Sequence, residues 1–202
     1  MPDTYPNFAA LSASEPPGEF AIRSRDTSSH IVIAAPHGGA IEPGTSEIAL
    51  AIAQHDLSYY LFEGHKRAGN AALHLASTRF DEPRCLALLA SAQAVLTVHG
   101  ESSAEEAVFL GGRNASLRAA VSDALEAAGF RVSEHADPDL QGVDPANLCN
   151  LGSARAGVQL ELARGLRQTM FESLDRAGRT RPTLRLRTFA TALRSALPLT
   201  VV

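Results

Sequence analysis

The stretch IVIAAPHGGAIEPGTSEIA at residues 31–49 determines how the rest of the sequence is interpreted. Its first five residues form a short, partly β-branched apolar run, which is typical of a strand buried on both faces. The run leads into His37 and two glycines, which allow the backbone to turn tightly. Thr45 or Ser46 can cap a following helix, with Glu47 in its first turn. The stretch therefore predicts a strand, a tight loop and a helix.

Short apolar runs alternate with segments of helical spacing along the rest of the chain. We predict strands at 31–35, 72–76, 94–98, 107–110 and 158–162, and further strands near 19–23 and 59–63. We predict helices at 46–55, 83–91, 115–128 and 165–176. This alternation favours an α/β fold with a mixed, largely parallel sheet between helices, in which ligands bind outside the carboxyl ends of the strands.

Length and composition indicate one domain. The chain has 202 residues, 45% of them hydrophobic, and no internal stretch resembles a linker. We predict a flexible lead-in over residues 1–17 and a single α/β domain over residues 18–202. The net charge of −4 argues against nucleic-acid binding. Because there is neither a long apolar run nor a secretory signal, we expect no membrane contact and synthesis in the cytoplasm, with cell lysis as a route of release.

A second apolar run ends in the same way as the first. AVLTVHG at 94–100 leads into His99, and if the two strands are neighbours, His99 and His37 converge. Glu42 can fold back to the same point. Two imidazoles and a carboxylate suit zinc, and three protein ligands leave a fourth position for water, as in catalytic sites. The alternative, in which both histidines satisfy backbone groups, is less favoured because the pattern occurs twice.

A third motif offers an acid near a strand end. In GVQLELARGLR at 157–167, polar Gln159 and Glu161 alternate with apolar residues, and burying a carboxylate is costly unless it is paired or used. Glu161 could take a proton from the zinc-bound water and pass it to the leaving nitrogen. Arg164 could stabilise the oxyanion or bind a substrate carboxylate. The alternative is a structural ion pair between Glu161 and Arg164.

Other polar residues have a weaker pattern. Three arginines next to predicted strands could line the cleft and bind substrate, although surface solvation is favoured for each one taken singly. They are Arg79, Arg113 and Arg155. His74 lies inside a predicted strand and is more typical of a core histidine than of a ligand. The arginines within 176–187 are expected to form a solvated helix face or tail. Cys85 and Cys149 are expected to be buried thiols.

Several motifs, taken in order, resemble poly-γ-glutamate hydrolases of the bacteriophage type. They are AAPHGGAIEPGTSEIA, YYLFEGHK, LHLASTRFDEP, VHG, FLGGRN and NLCNLGSARAGVQLELARGLR, within about residues 18 to 170. The resemblance implies a three-layer αβα sandwich similar to zinc carboxypeptidases, with one zinc held by His37, Glu42 and His99 and a general base at Glu161. It also implies cleavage of the γ-linked amide of poly-γ-glutamate, a polyanion that arginines would hold.

Two positions depart from the pattern expected for that family. Leu151 stands where a basic residue is expected, and Ala163 stands where serine is expected. Because a basic residue could bind the polymer, its absence bears on the substrate more than on the chemistry. Two alternatives therefore stay open. One is a zinc amidohydrolase acting on a small N-acyl amino acid, and the other is a non-catalytic domain that has lost the metal.

Overall fold

A computed structural model describes residues 3–199 of the protein, in which seven strands form one sheet. The strands are β1 (Phe20–Arg25), β2 (Ile31–Gly39), β3 (Ser58–Gly64), β4 (Ala94–Glu101), β5 (Ala107–Gly111), β6 (Arg131–Ser133) and β7 (Val158–Ala163). They lie in the order β1-β3-β2-β4-β7-β5-β6. Strand β1 is antiparallel to β3 and β5 is antiparallel to β7, whereas the other neighbours are parallel.

Helices cover both faces of this sheet. Within residues 3–199 the α-helices are α1 (Phe8–Ser14), α2 (Thr45–Ala53), α3 (Pro83–Ser91), α4 (Ala115–Ala127), α5 (Arg164–Met170) and α6 (Leu184–Ser195). One buried cluster joins the sheet to α2, α4, α5 and α6, and a second joins it to α1 and α3. The predicted α/β fold, a three-layer sandwich with a mixed and largely parallel sheet, is confirmed.

Strand β2 lies in the middle of both clusters. Ile31 and Ile33 belong to the first cluster, whereas Val32 and Ala34 belong to the second. Successive side chains of a strand point to opposite faces, so a strand that is covered on both faces needs apolar residues at every position. This requirement explains the uninterrupted apolar run at 31–35.

Strands β2 and β4 are adjacent and parallel, as a shared metal site at their ends requires. In their register Ile31 lies opposite Ala94, and Ala34 lies opposite Thr97. Strand β7 adjoins β4 on its other side and is also parallel to it. The carboxyl ends of all three strands therefore lie at one edge of the sheet, where α/β proteins bind ligands.

The strand predicted at 72–76 is wrong. Asn70–Leu73 form a 3₁₀ helix, and His74 follows in an extended conformation outside the ladders of the sheet. Leu73 and Leu75 are buried in the second cluster, whereas His74 lines a cleft. The alternation of apolar and polar residues thus belongs to a connection packed over the sheet.

The C-terminal part of the chain also differs from the prediction. Helix α5 ends at Met170 and does not extend to residue 176, because Phe171 is extended and forms a bridge with Pro182. Among the arginines expected to be solvated, Arg179 is buried, and its Nε donates to Glu47 Oε1 at 2.9 Å. Helix α6, which packs against α2 and α4, is not among the predicted helices.

Helix α1 lies within the segment expected to be a flexible lead-in. Its Leu11 is fully buried in the second cluster, and the Asn7 side chain caps its first turn. The expectation of no structural element before residue 18 is therefore wrong for Phe8–Ser14. The domain boundary at residue 18 stays a prediction. Residues 1, 2 and 200–202 lie outside the described part of the chain.

Cys85 and Cys149 are buried free thiols, as predicted. Burial raises the pKa of both thiols above the ordinary value, which keeps them protonated and unreactive. Every helix among residues 3–199 is too short or too polar to cross a lipid bilayer.

We predict that Leu11→Ala lowers the free energy of unfolding by about 2–5 kcal/mol, because it leaves a cavity in the second cluster. Urea denaturation measures this change. Leu184→Ala is the matched control, because Leu184 is 76% exposed, and the change there should stay within about 0.5 kcal/mol. Equal effects of the two substitutions would show that α1 contributes little to the core.

Candidate metal centre

A β-bulge in β2 sets the direction of His37. The register between β2 and β3 shifts between Ala35 and Gly38. Two residues of β2, Pro36 and His37, therefore lie opposite a single residue of β3. Proline has no N–H for a sheet ladder, and bulges redirect side chains near functional sites. The break in the ladder thus turns the buried His37 ring towards the edge of the sheet.

The loop after His37 folds Glu42 back towards it. The Glu42 N–H donates to the His37 carbonyl at 2.8 Å. Gly39 has a φ of 66°, and a Cβ there would lie 2.4 Å from the Gly64 carbonyl oxygen. Only glycine fits both conditions, so the turn depends on it.

Helix α2 begins directly after this loop without a side-chain cap. Its N-cap residue is Gly44, with a φ of 101°. The predicted capping role of Thr45 or Ser46 is therefore wrong. The Thr45 hydroxyl donates to the Glu42 carbonyl at 2.9 Å and so fixes the end of the loop. Glu47 lies in the first turn, as predicted.

His37, Glu42 and His99 come together at the ends of β2 and β4. His37 Nδ1 lies 3.0 Å from Glu42 Oε1. His99 Nδ1 lies 3.2 Å from His37 Nδ1 and 3.9 Å from Glu42 Oε2. One ligand atom from each residue lies within 4.8 Å of the other two, so the group could hold a metal ion. These are the three residues that the sequence predicts as ligands.

The two imidazoles are oriented with their Nδ1 atoms towards each other. His37 Nε2 donates to the Leu75 carbonyl at 2.8 Å, so the lone pair of neutral His37 is on Nδ1. His99 Nε2 lies 3.4 Å from the Ser77 hydroxyl. Metal-binding histidines usually make such a bond through the ring nitrogen that does not bind the metal. The arrangement therefore fits a cation bound through both Nδ1 atoms.

The residue after His99 helps to hold Glu42 in place. The Gly100 N–H donates to Glu42 Oε2 at 2.8 Å. A Cβ at Gly100 would lie 2.7 Å from the guanidinium carbon of Arg167, so glycine also leaves room for that side chain. Arg167 is buried and donates to the backbone carbonyls of Pro43, Glu101 and Leu162. Arg167 thereby joins the loop that carries Glu42 and Pro43 to the ends of β4 and β7.

Electrostatic interactions shift the pKa values of the two imidazoles in opposite directions. Burial lowers the pKa of His37, but the Glu42 carboxylate outweighs this effect and holds the pKa above its ordinary value. Burial raises the pKa of Glu42, yet the contact with His37 brings it down to about 2. Burial lowers the pKa of His99 to about 3, so this ring is neutral. A neutral ring has a nitrogen lone pair for a cation.

Glu161 lies on β7 opposite His99 of β4. Its Oε1 accepts a hydrogen bond from Gln159 Nε2 at 3.0 Å. Burial, together with the Glu42 and Glu101 carboxylates, raises the pKa of Glu161 well above its ordinary value. A cation nearby would lower that pKa, because an opposite charge favours the ionised form. The acids around the centre are therefore suited to a divalent ion.

A cleft of about 830 Å³ opens over the centre and is lined by His37, Glu42, His99 and Glu161. Arg164 lines a second cleft of about 500 Å³, which shares Glu42 with the first. The structure therefore brings the predicted acid to the centre and the predicted arginine to an adjoining cleft.

The three other predicted arginines lie outside the linings of both clefts. Arg79 Nη2 donates to the Asp3 carboxylate at 2.7 Å. Arg113 is exposed after β5, and Arg155 is exposed in the loop before β7 with a φ of 53°. Their role in substrate binding stays a prediction.

Two residues at the cleft, His74 and Asp3, are not among the site residues predicted from the sequence. The His74 ring stacks on the His37 ring with their centroids 4.1 Å apart. Asp3 Oδ1 lies 2.9 Å from His74 Nδ1. The expectation of a core histidine at position 74 is wrong, because the His74 ring is half-buried and lines the cleft. The wrong assignment of residues 72–76 to a strand explains this error. The sequence has no signal for Asp3.

The poly-gamma-glutamate hydrolase family model matches residues 5–192. The chain belongs to this family. It is 36% identical over 170 residues to UPF0714 protein YndL of Bacillus subtilis (strain 168). The aligned residues cover 84% of this chain and 67% of YndL. The resemblance inferred from the motifs is therefore confirmed, and the family supports an enzyme that acts as a hydrolase.

Solved structures agree with this assignment. A bacteriophage poly-gamma-glutamate hydrolase matches with a TM-score of 0.92 and 31% identity, over 96% of each chain. The zinc-free apo form of YndL matches with a TM-score of 0.92 and 32% identity, over 96% of this chain and 97% of that one. The hydrolase family thus shares both the sheet and the layers described above.

We predict that His99→Ala lowers zinc affinity by more than the roughly 10–100-fold that loss of a supporting group costs, because it removes a ligand. The zinc content of dialysed protein, measured by mass spectrometry, tests this. His55→Ala is the control, since His55 is exposed and outside both cleft linings. Parental zinc content in His99→Ala would contradict the ligand assignment.

Proposed function

We propose that the protein is a zinc-dependent amide hydrolase that cleaves γ-glutamyl bonds in poly-γ-glutamate. The observation that carries the proposal is the convergence of His37, Glu42 and His99, with Glu161 on the neighbouring strand. Family membership supports hydrolysis. Zinc is carried over from YndL, of which a zinc-free apo form is known.

The donor set fits one zinc ion per chain. Two imidazole nitrogens and a carboxylate are ligands that zinc prefers, and three protein ligands are typical of catalytic sites. The Nδ1 atoms of His37 and His99 are already aligned by bonds at their Nε2 atoms. When bound, zinc lowers the pKa of a water molecule to about 7 and polarises a carbonyl group.

Glu161 is proposed to transfer the proton. Its carboxylate takes a proton from the attacking water and delivers it to the leaving nitrogen. Gln159 Nε2 donates to Oε1 of Glu161, and Asn147 Nδ2 donates to Gln159 Oε1 at 2.9 Å. This chain of hydrogen bonds fixes the carboxylate and leaves Oε2 for the proton.

Arg164 is proposed to hold negative charge on the substrate. It lies at the start of α5 and lines the cleft that adjoins the centre across Glu42. A guanidinium group binds a carboxylate through two parallel hydrogen bonds. It could equally stabilise the oxyanion that forms at the carbonyl. Arg79, Arg113 and Arg155 are proposed as further contacts for a polyanionic chain that runs over the surface.

Two observations favour a second substrate, a small N-acyl amino acid. Leu151 stands where a basic residue is expected, and it packs, partly buried, against the second cluster. The main cleft is lined by the acidic Glu101 and Asp139 and, within residues 3–199, by neither lysine nor arginine. A substrate with few carboxylates would meet less repulsion there.

We predict that Glu161→Gln retains zinc and lowers kcat by about 10²- to 10⁴-fold, the usual contribution of a general base. Loss of viscosity of poly-γ-glutamate measures turnover, and release of amino acid from N-acyl glutamates measures the second reaction. Glu126→Gln, on the exposed surface of α4, is the control.

The outcomes separate the candidates. Polymer cleavage by the parent that is lost in Glu161→Gln supports the proposal, whereas cleavage of only the small substrates favours the second candidate. Full activity of Glu161→Gln would remove the assigned base. Substoichiometric zinc and no effect of a chelator would indicate a non-catalytic domain.

A further inference from the structure

We propose that His74, the Ala76 amide and Arg79 form a subsite for a carboxylate of the substrate, and that Asp3 of the same chain occupies it as an internal competitor. The inference rests on the proposed function, because it specifies how the same cleft receives a γ-glutamyl carboxylate. It adds a regulatory contact that acts from the N-terminal segment.

Three donors from one connection converge on the Asp3 carboxylate. Oδ1 lies 2.9 Å from His74 Nδ1, and Oδ2 accepts from the Ala76 N–H at 2.8 Å and from Arg79 Nη2 at 2.7 Å. An imidazole, a backbone amide and a guanidinium group can all donate hydrogen bonds to a carboxylate. The Asp3 side chain is only 3% exposed, so its carboxylate fills this pocket.

The subsite lies next to the metal centre. Asp3 and His74 line the same cleft as His37, and the His74 ring is stacked on the His37 ring at 4.1 Å. In a γ-glutamyl unit, four carbon–carbon bonds separate the amide carbonyl carbon from the α-carboxylate carbon, a reach of about 5 Å. A carboxylate in the subsite would therefore belong to a residue beside the bond that is cleaved.

The charge of the cleft also favours displacement of Asp3. Within residues 3–199 the lining includes the acids Asp3, Glu42, Glu101, Asp139 and Glu161, and neither lysine nor arginine. A polyanion would be repelled by this surface. When Asp3 leaves, one negative charge is removed and the Arg79 guanidinium becomes available. The substrate carboxylate then replaces Asp3 without leaving a buried donor unpaired.

The segment that carries Asp3 is anchored at a distance from the subsite. Leu11 of α1 is buried in the second cluster, and the Phe8 N–H donates to the Asp81 carboxylate at 2.6 Å. Only the few residues before α1 need to move for Asp3 to leave. A short tether keeps a competitor at a millimolar effective concentration, which suits competition with a substrate.

The test measures the affinity of the protein for glutarate by NMR titration, with the zinc content of each sample determined beforehand. The two carboxylates of glutarate have the same spacing as the carbonyl and the α-carboxylate of one γ-glutamyl unit. If Asp3 fills the subsite about nine-tenths of the time, Asp3→Ala should bind glutarate about tenfold more tightly than the parent. The double variant Asp3→Ala with Arg79→Ala should lose this gain. Asp56→Asn, which breaks the ion pair with Arg194 outside the cleft linings, is the control and should bind as the parent does.

Kinetics on poly-γ-glutamate give a second comparison. Release of a competitor lowers KM in Asp3→Ala and leaves kcat unchanged, whereas loss of a purely structural contact lowers kcat and leaves KM unchanged. Unchanged glutarate affinity in a folded Asp3→Ala protein would overturn the proposal. Because the NMR titration measures binding, an inactive protein that still shows the tenfold gain would contradict the proposed function only.

If Asp3→Ala fails to fold, hydrogen exchange in the parent protein decides. Saturating glutarate should increase exchange of the amides in residues 3–7, because Asp3 is displaced, and should leave α1 protected. Unchanged exchange in residues 3–7 with glutarate bound would overturn the proposal.

Discussion

The parallel pairing of β2 with β4 is the constraint on which the site depends. It places two apolar strands side by side, each with a histidine near its carboxyl end, so His37 and His99 meet without a long loop to position them. The bulge at Pro36 then turns His37, and the tight turn through Gly39 returns Glu42 to the same point. Strand β7 adds Glu161 opposite His99 through the next ladder. Three neighbouring strands and the loop after β2 thus hold all four groups.

The sequence predicts this centre because its determinants are local. An apolar run followed by His-Gly occurs twice, and each run fills a strand that is buried on both faces. The rule that ligands bind at the carboxyl ends of strands then brings the two runs together. Glu42 and Glu161 follow from the same local patterns. The fold class is predictable for a similar reason, since apolar strands and amphipathic helices alternate along the chain.

Other elements could not be predicted because they depend on distant contacts. Strand β6 has three residues, two of them exposed, and therefore shows no periodicity. Arg167 links the loop that carries Glu42 to two strands through backbone carbonyls. Every residue has a backbone carbonyl, so the sequence does not indicate which of them accept these hydrogen bonds. Helix α6 is different, because Leu186, Phe189, Ala190 and Leu193 have helical spacing and form its buried face. This helical pattern is not predicted from the sequence because the arginines within 176–187 are interpreted there as a solvated helix face or tail.

The most direct test of the metal centre is anomalous diffraction at the zinc edge from crystals grown with equimolar zinc. We expect one strong peak per chain within bonding distance of His37 Nδ1, His99 Nδ1 and the Glu42 carboxylate. A map without a peak among these three groups, or with zinc bound by other residues only, would contradict the assigned metal centre.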